Sequence, residues 1–212
     1  MADKKAYLRN ILTECRTALG DDFVKSASRE VGARVLTFGG YLAATTVVLY
    51  AASHNEVATD VILADALARS RQVLFPKIDA GRGRIALAQV RGRGELRPGA
   101  FGILEPPADA RLVAPSELHG AIVCVPGLGF GSNGARLGRG GGHYDRLLAQ
   151  LDAQTITVGL AYSFQMVGRI PEMRSDRRLH YIVTETAIHW AHESTRPGRG
   201  HVEQGGIAGW NG

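Results

Sequence analysis

The residues with the clearest chemical use fall in one stretch, VPGLGFGSNGARLGRGGGHYDR, at positions 125–146. Gly138, Gly140, Gly141 and Gly142 stand there beside Arg136, Leu137, Arg139, His143, Tyr144, Asp145 and Arg146. Glycine carries no Cβ, so such a run lets backbone N–H groups approach an anion closely. The start of a following helix adds unpaired N–H groups and a positive dipole end. Arg136 offers a guanidinium for phosphate oxygens, Asp145 a carboxylate for a hard cation such as Mg²⁺, and Arg146 a second guanidinium within the helix. The stretch reads as a phosphate cradle. It lacks the Lys-Ser/Thr ending of a P-loop, and glycines spaced by two at 138, 140 and 142 do not complete a dinucleotide fingerprint. The plain alternative is a surface loop with solvated charges.

Two further groups of candidates lie far away in sequence. Lys5, Arg9 and Arg16 share one ridge at helical spacing, which serves either as a solvated charged face or as a cationic edge. Glu56 follows a short apolar run, where ligands bind beyond the carboxyl ends of parallel strands. A lone loop glutamate otherwise simply faces water.

These groups need elements to position them. Leu8, Ile11, Leu12, Cys15 and Leu19 predict an amphipathic helix over 3–19 capped by Asp3. A second helix is expected over 22–37, with Phe23, Ala27, Val31 and Val35 inward and Gly39-Gly40 as its end. Residues 45–51 and 72–76 read as buried strands around a helix capped by Thr59, which makes one βαβ unit. Residues 84–90 suit an antiparallel edge strand, and 91–115 an irregular covering segment. Strands at 121–125 and 155–161 flank the glycine stretch and a helix marked by Tyr144, Leu147, Leu148 and Leu151, and 181–184 suits a last strand. The expected fold is α/β, an open, mostly parallel, Rossmann-like sheet flanked by helices. Residues 1–192 would form one domain, and 193–212, with Trp210, a flexible tail.

Composition narrows the class of function. No apolar run approaches the ~20 residues of a membrane span and no signal-peptide core opens the chain, so a soluble cytoplasmic protein is expected. Cys15 and Cys124 alone exclude a disulfide framework and a four-cysteine zinc site, and both read as buried thiols. A net charge of +5 favours anionic partners: nucleotides, polyglutamylated small molecules or nucleic acid. Scattered arginines and an aromatic content of 7% count against nucleic acid.

Lys5-x-x-x-Arg9, Glu56, the hexapeptide FGILEP at 101–106, and Gly134-x-Arg136-Leu137-Gly138-x-Gly140-x-Gly142-x-Tyr144-Asp145-Arg146 together resemble the 5-formyltetrahydrofolate cyclo-ligase family over residues 4–188. The resemblance implies a sheet of the NagB/RpiA/CoA-transferase-like kind, and an ATP- and Mg²⁺-dependent closure of 5-formyltetrahydrofolate to 5,10-methenyltetrahydrofolate. It implies that Lys5, Arg9, Arg136, Leu137 and the run Gly138, Arg139, Gly140, Gly141, Gly142, His143 and Tyr144 hold ATP. Arg136 and Asp145 would be catalytic, and Asp145 with Asp176 would bind Mg²⁺. Tyr50, Glu56, Gly141, Gly142 and His143 would meet the folate, with or without a polyglutamate chain, in a monomer or weak dimer. His143 replaces an aromatic residue usual in the family, and Gly131 and His180 stand where acids are common. A relative that keeps the nucleotide loop without this turnover, or that uses another substrate, is the alternative. A sugar-phosphate or coenzyme A enzyme on a similar sheet is a third reading, by fold analogy.

Overall fold

The computed structural model describes residues 2–79, 84–99 and 102–191. Two helices, α1 (Ala2–Thr17) and α2 (Asp21–Thr37), and a short α3 (Gly39–Ala43) lead into β1 (Thr46–Val48). Then come α4 (Asp60–Ala68), the hairpin β2 (Gln72–Asp79) and β3 (Arg84–Gln89), and three short strands, β4 (Arg97–Pro98), β5 (Leu104–Glu105) and β6 (Leu112–Val113). The second half runs β7 (Ile122–Val125), β8 (Gly129–Gly131), β9 (Arg136–Leu137), α5 (His143–Leu148) and β10 (Ile156–Leu160). It ends with β11 (Met166–Val167), β12 (Tyr181–Val183) and β13 (Ile188–Trp190).

Eight strands form one sheet in the order β13-β12-β10-β7-β1-β2-β3-β6. The five from β12 to β2 are parallel, with Val47 opposite both Val73 and Ile122, and the flanking strands are antiparallel. Parallel strands are covered on both faces, which is why they read as unbroken apolar runs. Val47, Leu49, Val73, Phe75, Ile122 and Cys124 point to one face, against Ala27, Val31 and Val35 of α2 and Ile62 and Ala66 of α4. Val48, Leu74, Val123 and Val125 point to the other, against Leu147 and Leu148 of α5. Burial pushes the Cys124 thiol up to about 12, so it stays protonated as a small apolar filler.

The strands after β1 extend the sheet one way and those after β7 the other, so the order reverses between these two neighbours. A crevice opens at such a reversal, beyond the carboxyl ends of the strands, because the two chains leave in opposite directions.

Several expectations are corrected. Strand β3 is not at the edge, because β6 pairs with its outer side. The edge beyond β12 is β13, whose three residues are too short for the sequence pattern to separate from a loop. Gly39-Gly40 does not simply end α2; α3 begins at Gly39. Thr59 precedes α4, but its hydroxyl donates to the Tyr50 carbonyl oxygen at 2.9 Å and makes no cap bond. Asp3 lies in the first turn of α1 and is not its cap. Phe23 is 41% exposed, the inward face of α2 being Ala27, Ser28, Val31, Gly32 and Val35. Cys15 is exposed, because α1 turns Lys5, Leu12 and Arg16 inward instead. The expected tail at 193–212 lies outside the described residues.

His180 fastens β10 to the segment entering β12. Its Nδ1 accepts the Thr157 N–H at 3.0 Å and lies 2.9 Å from the Thr157 hydroxyl, and its own N–H donates to Thr157 Oγ1 at 3.1 Å. Burial pushes the imidazole below its usual value. The unfolded chain then takes up this proton near pH 6.5 while the folded chain does so only at lower pH. Stability is therefore lost as pH falls through the unfolded value, by at most about 1.4 kcal/mol per pH unit from this group. Asparagine places an oxygen near the Nδ1 position and does not titrate. Thermal melts between pH 7 and 5 are expected to fall less steeply for His180→Asn than for the wild type, and parallel curves would remove His180 from the acid response.

Candidate active site

The crevice between β1 and β7 opens into a cleft of about 790 Å³, and it gathers the residues expected to hold ATP, folate and Mg²⁺, whereas Arg16 lies outside its lining. Lys5 and Arg9 reach it from α1, Tyr50 and Glu56 from the turn after β1, and Arg136 and Leu137 from β9. The run 138–142 forms one rim, and His143, Tyr144 and Asp145 enter from α5. Asp176 closes the far side with Met173 and Arg177.

The glycine stretch is not one loop. Its first half folds into β8 and β9, which make a three-stranded sheet with β11, so Gly129 and Gly131 serve packing. Residues 138–142 remain a loop, with Gly140 at φ 108° and Gly142 at φ 65°, a backbone region that residues other than glycine rarely enter. The helix that follows has six residues, too short for a sizeable dipole, so the cationic side chains carry the field here.

Those cations face inward, contrary to a solvated ridge. Lys5 is 7% and Arg16 2% exposed. Lys5 Nζ donates to Asp176 Oδ2 at 2.5 Å, which ties α1 to a loop 171 residues away. Burial pushes the Asp176 carboxyl up, but that hydrogen bond and one from the Met173 N–H outweigh it and hold the group below the usual range. Arg9 Nε donates to the Gly138 carbonyl oxygen at 2.9 Å, so the helix and the glycine loop share one rim. Arg16 donates to the Gly127 carbonyl oxygen at 3.0 Å and lies 3.8 Å from Glu56.

Arg136 is the centre of the cationic side. Its guanidinium donates to Asp145 Oδ2 at 3.0 Å and lies 5.5 Å from the Tyr144 ring centroid, a cation–π distance. Its Nε is buried and has no partner. An unpaired buried donor costs about 1–3 kcal/mol. The other oxygen of Asp145 accepts the Arg177 N–H at 3.3 Å. Glu56 accepts the Ser53 N–H at 3.1 Å and faces Arg139 at 3.3 Å. The Tyr50 hydroxyl donates to the Val57 carbonyl oxygen at 2.9 Å, and burial raises it well above its usual value, so it is a fixed wall and not a proton carrier. His143 Nδ1 lies 3.1 Å from Arg146.

Sequence reasoning missed Glu105 as a lining residue, although FGILEP was the signal for it, and it missed Ile85, Pro76 and Ile103 on the same cleft. These come from hairpin and covering segments whose periodicity says nothing about which side chains meet.

If Arg9 serves the phosphate rim, charge reversal by Arg9→Glu is expected to raise the KM for ATP at least about tenfold, with a smaller change in kcat. Unchanged apparent affinity would return α1 to the role of a charged surface.

An open, mostly parallel sheet with buried cations, a glycine loop and two carboxylates at its topological switch point makes an α/β protein with a cationic cleft. The model of the 5-formyltetrahydrofolate cyclo-ligase family matches residues 1–185, and the chain belongs to that family. It is 26% identical over 181 residues to the 5-formyltetrahydrofolate cyclo-ligase of Escherichia coli K12, covering 84% of this chain and 98% of the relative. The enzyme of the same name from Mycolicibacterium smegmatis is 29% identical over 188 residues, covering 85% and 93%. Among solved structures, Aquifex aeolicus 5,10-methenyltetrahydrofolate synthetase superposes with a TM-score of 0.78 at 28% identity, over 94% of this chain and 99% of that one.

Proposed function

We propose that the protein closes 5-formyltetrahydrofolate to 5,10-methenyltetrahydrofolate with conversion of ATP to ADP and phosphate. One observation carries this reading: Lys5, Arg9 and Arg136 converge with the 138–142 loop on a single cleft, and Arg136 keeps a buried donor free there. Family membership supplies the substrate class.

An amide-like formyl oxygen leaves poorly, and phosphorylation turns it into a good leaving group. The formyl oxygen attacks the γ-phosphorus of ATP and ADP departs. N10 adds to the activated carbon and gives up its proton, and phosphate leaves with the former formyl oxygen, which completes the C=N⁺ bond. The protein's task is to bring two substrates together and offset phosphate charge, so positioning and fixed cations carry the rate. In this reading Arg136 holds the transferring phosphoryl group. Lys5, Arg9, Leu137 and the run 138–144 hold the triphosphate, with Gly141, Gly142 and His143 at the boundary with the folate. Tyr50 and Glu56 line the folate side.

Among the described residues no cluster of three metal-ligating side chains occurs. Mg²⁺ nevertheless binds nucleotide sites through one or two carboxylates plus phosphate oxygens and water, and Asp145 and Asp176 line the same cleft. These two would hold the ion, which would neutralise phosphate charge. Among the described residues no helix is long and apolar enough to cross a membrane. We place the enzyme in the cytoplasm as a monomer or weak dimer that accepts folates with or without added glutamates.

Purified protein given MgATP and 5-formyltetrahydrofolate is expected to generate the methenyl chromophore in step with ADP. Retained ATP binding without the chromophore would favour the relative that lacks this turnover.

A further inference from the structure

Glu105 sits on β5, which pairs with β4 and packs on β2, so it reaches the cleft from a different wall than the cations of α1 and β9. It is 9% exposed, and its Oε1 is buried without a hydrogen-bond partner. Ile103 and Leu104, next to it in the chain, line the same cleft and are apolar. A carboxylate kept on an apolar wall without donors destabilises the fold, so such an oxygen marks a place where a ligand supplies the donor. Glu56 is differently placed, because Ser53, Arg16 and Arg139 already surround its oxygens.

The donor's chemistry follows from what a carboxylate accepts. An ionised carboxylate only accepts hydrogen bonds, and it pairs best with two adjacent N–H groups. The 2-amino-4-oxo edge of a pterin presents such a pair, the amino group and N3–H. The adenine amino group is flanked by ring nitrogens that are themselves acceptors and would face the carboxylate with like polarity. On these grounds we infer that Glu105 is the acceptor that fixes the pterin edge of the folate, beside the apolar Ile103 and Leu104. This rests on the folate reading above and adds a specificity-determining residue to it.

Glu105→Leu keeps the bulk and removes the acceptor, and Glu105→Gln keeps one acceptor oxygen. Loss of a hydrogen bond to a charged group corresponds to about 10–100-fold in affinity. Glu105→Leu is expected to weaken 5-formyltetrahydrofolate by that factor, both in KM and in calorimetric binding, with the KM for ATP unchanged. Glu105→Gln is expected to recover part of the loss. Because the unpartnered oxygen destabilises the free protein, neither variant should melt below the wild type. An unchanged folate affinity, a rise confined to ATP, or lower melting temperatures with both affinities falling together would each overturn the assignment. A wild-type protein that binds 5-formyltetrahydrofolate without converting it defeats the turnover reading alone, and the Leu variant still decides Glu105 by calorimetry. A wild type that does not bind it defeats both.

Discussion

Arg136→Lys is expected to lower turnover by ~10²–10³-fold, the usual loss when one fixed donor to a developing charge is removed. The substitution keeps the positive charge and removes the fork. In the folded protein one arm of that fork grips Asp145 at 3.0 Å while Nε stays free, and the side chain is only 4% exposed. An ammonium is a single point charge, so it serves either the carboxylate or the phosphoryl oxygens. The loss should fall on kcat more than on the KM for the folate, since the interaction strengthens as charge moves in the transition state. Near-normal single-turnover rates would remove Arg136 from the reacting phosphoryl group and leave it a structural partner of Asp145.

Asp145→Asn is the second large effect, and its signature lies in the metal dependence. The amide keeps the shape and removes the charge on which the proposed Mg²⁺ role depends, so in that role the Mg²⁺ concentration for half-maximal rate should rise at least about tenfold, with little turnover at concentrations that saturate the wild type. The fold should survive. Asp145 is 21% exposed and its oxygens are held by Arg136 and by the Arg177 N–H, so the change weakens hydrogen bonds to a charged group, about 1.5–3 kcal/mol in all. That corresponds to a drop of about 2–4 °C per kcal/mol in a chain of this size. Normal activity with an unchanged Mg²⁺ requirement would take Asp145 out of the metal role.

The sequence was most informative where one residue type answers one physical demand. The apolar runs around Val47, Val73, Ile122 and Val158 declared a doubly covered parallel sheet, because only burial on both faces suppresses alternation. Gly140 and Gly142 could be read because a positive φ leaves few other choices. Other features were less legible. Periodicity placed Leu8 and Leu12 on the inner face of α1, yet it also placed Ile11 there, which is 37% exposed, and it could not foresee that Lys5 and Arg16 would turn inward to meet partners over a hundred residues away. The two-residue strands β4, β5 and β6 are too short for a period to register, so Glu105 went unnoticed within a recognisable hexapeptide. The second half of the glycine stretch met its expected place, whereas its first half became β8 and β9 for reasons of packing: Phe130 is fully buried between them and the main sheet.

The bond from Lys5 to Asp176 has a consequence for a shortened chain. The two partners lie 171 residues apart in the chain, so the bond joins α1 to the segment that leads into β12. Arg9 and Arg16 of the same helix meet the Gly138 and Gly127 carbonyl oxygens, so α1 is held to the middle of the chain as well as to the segment before β12. A chain cut before Asp176 would keep Arg136 and the 138–142 loop but lose the tie that draws Lys5 into the cleft.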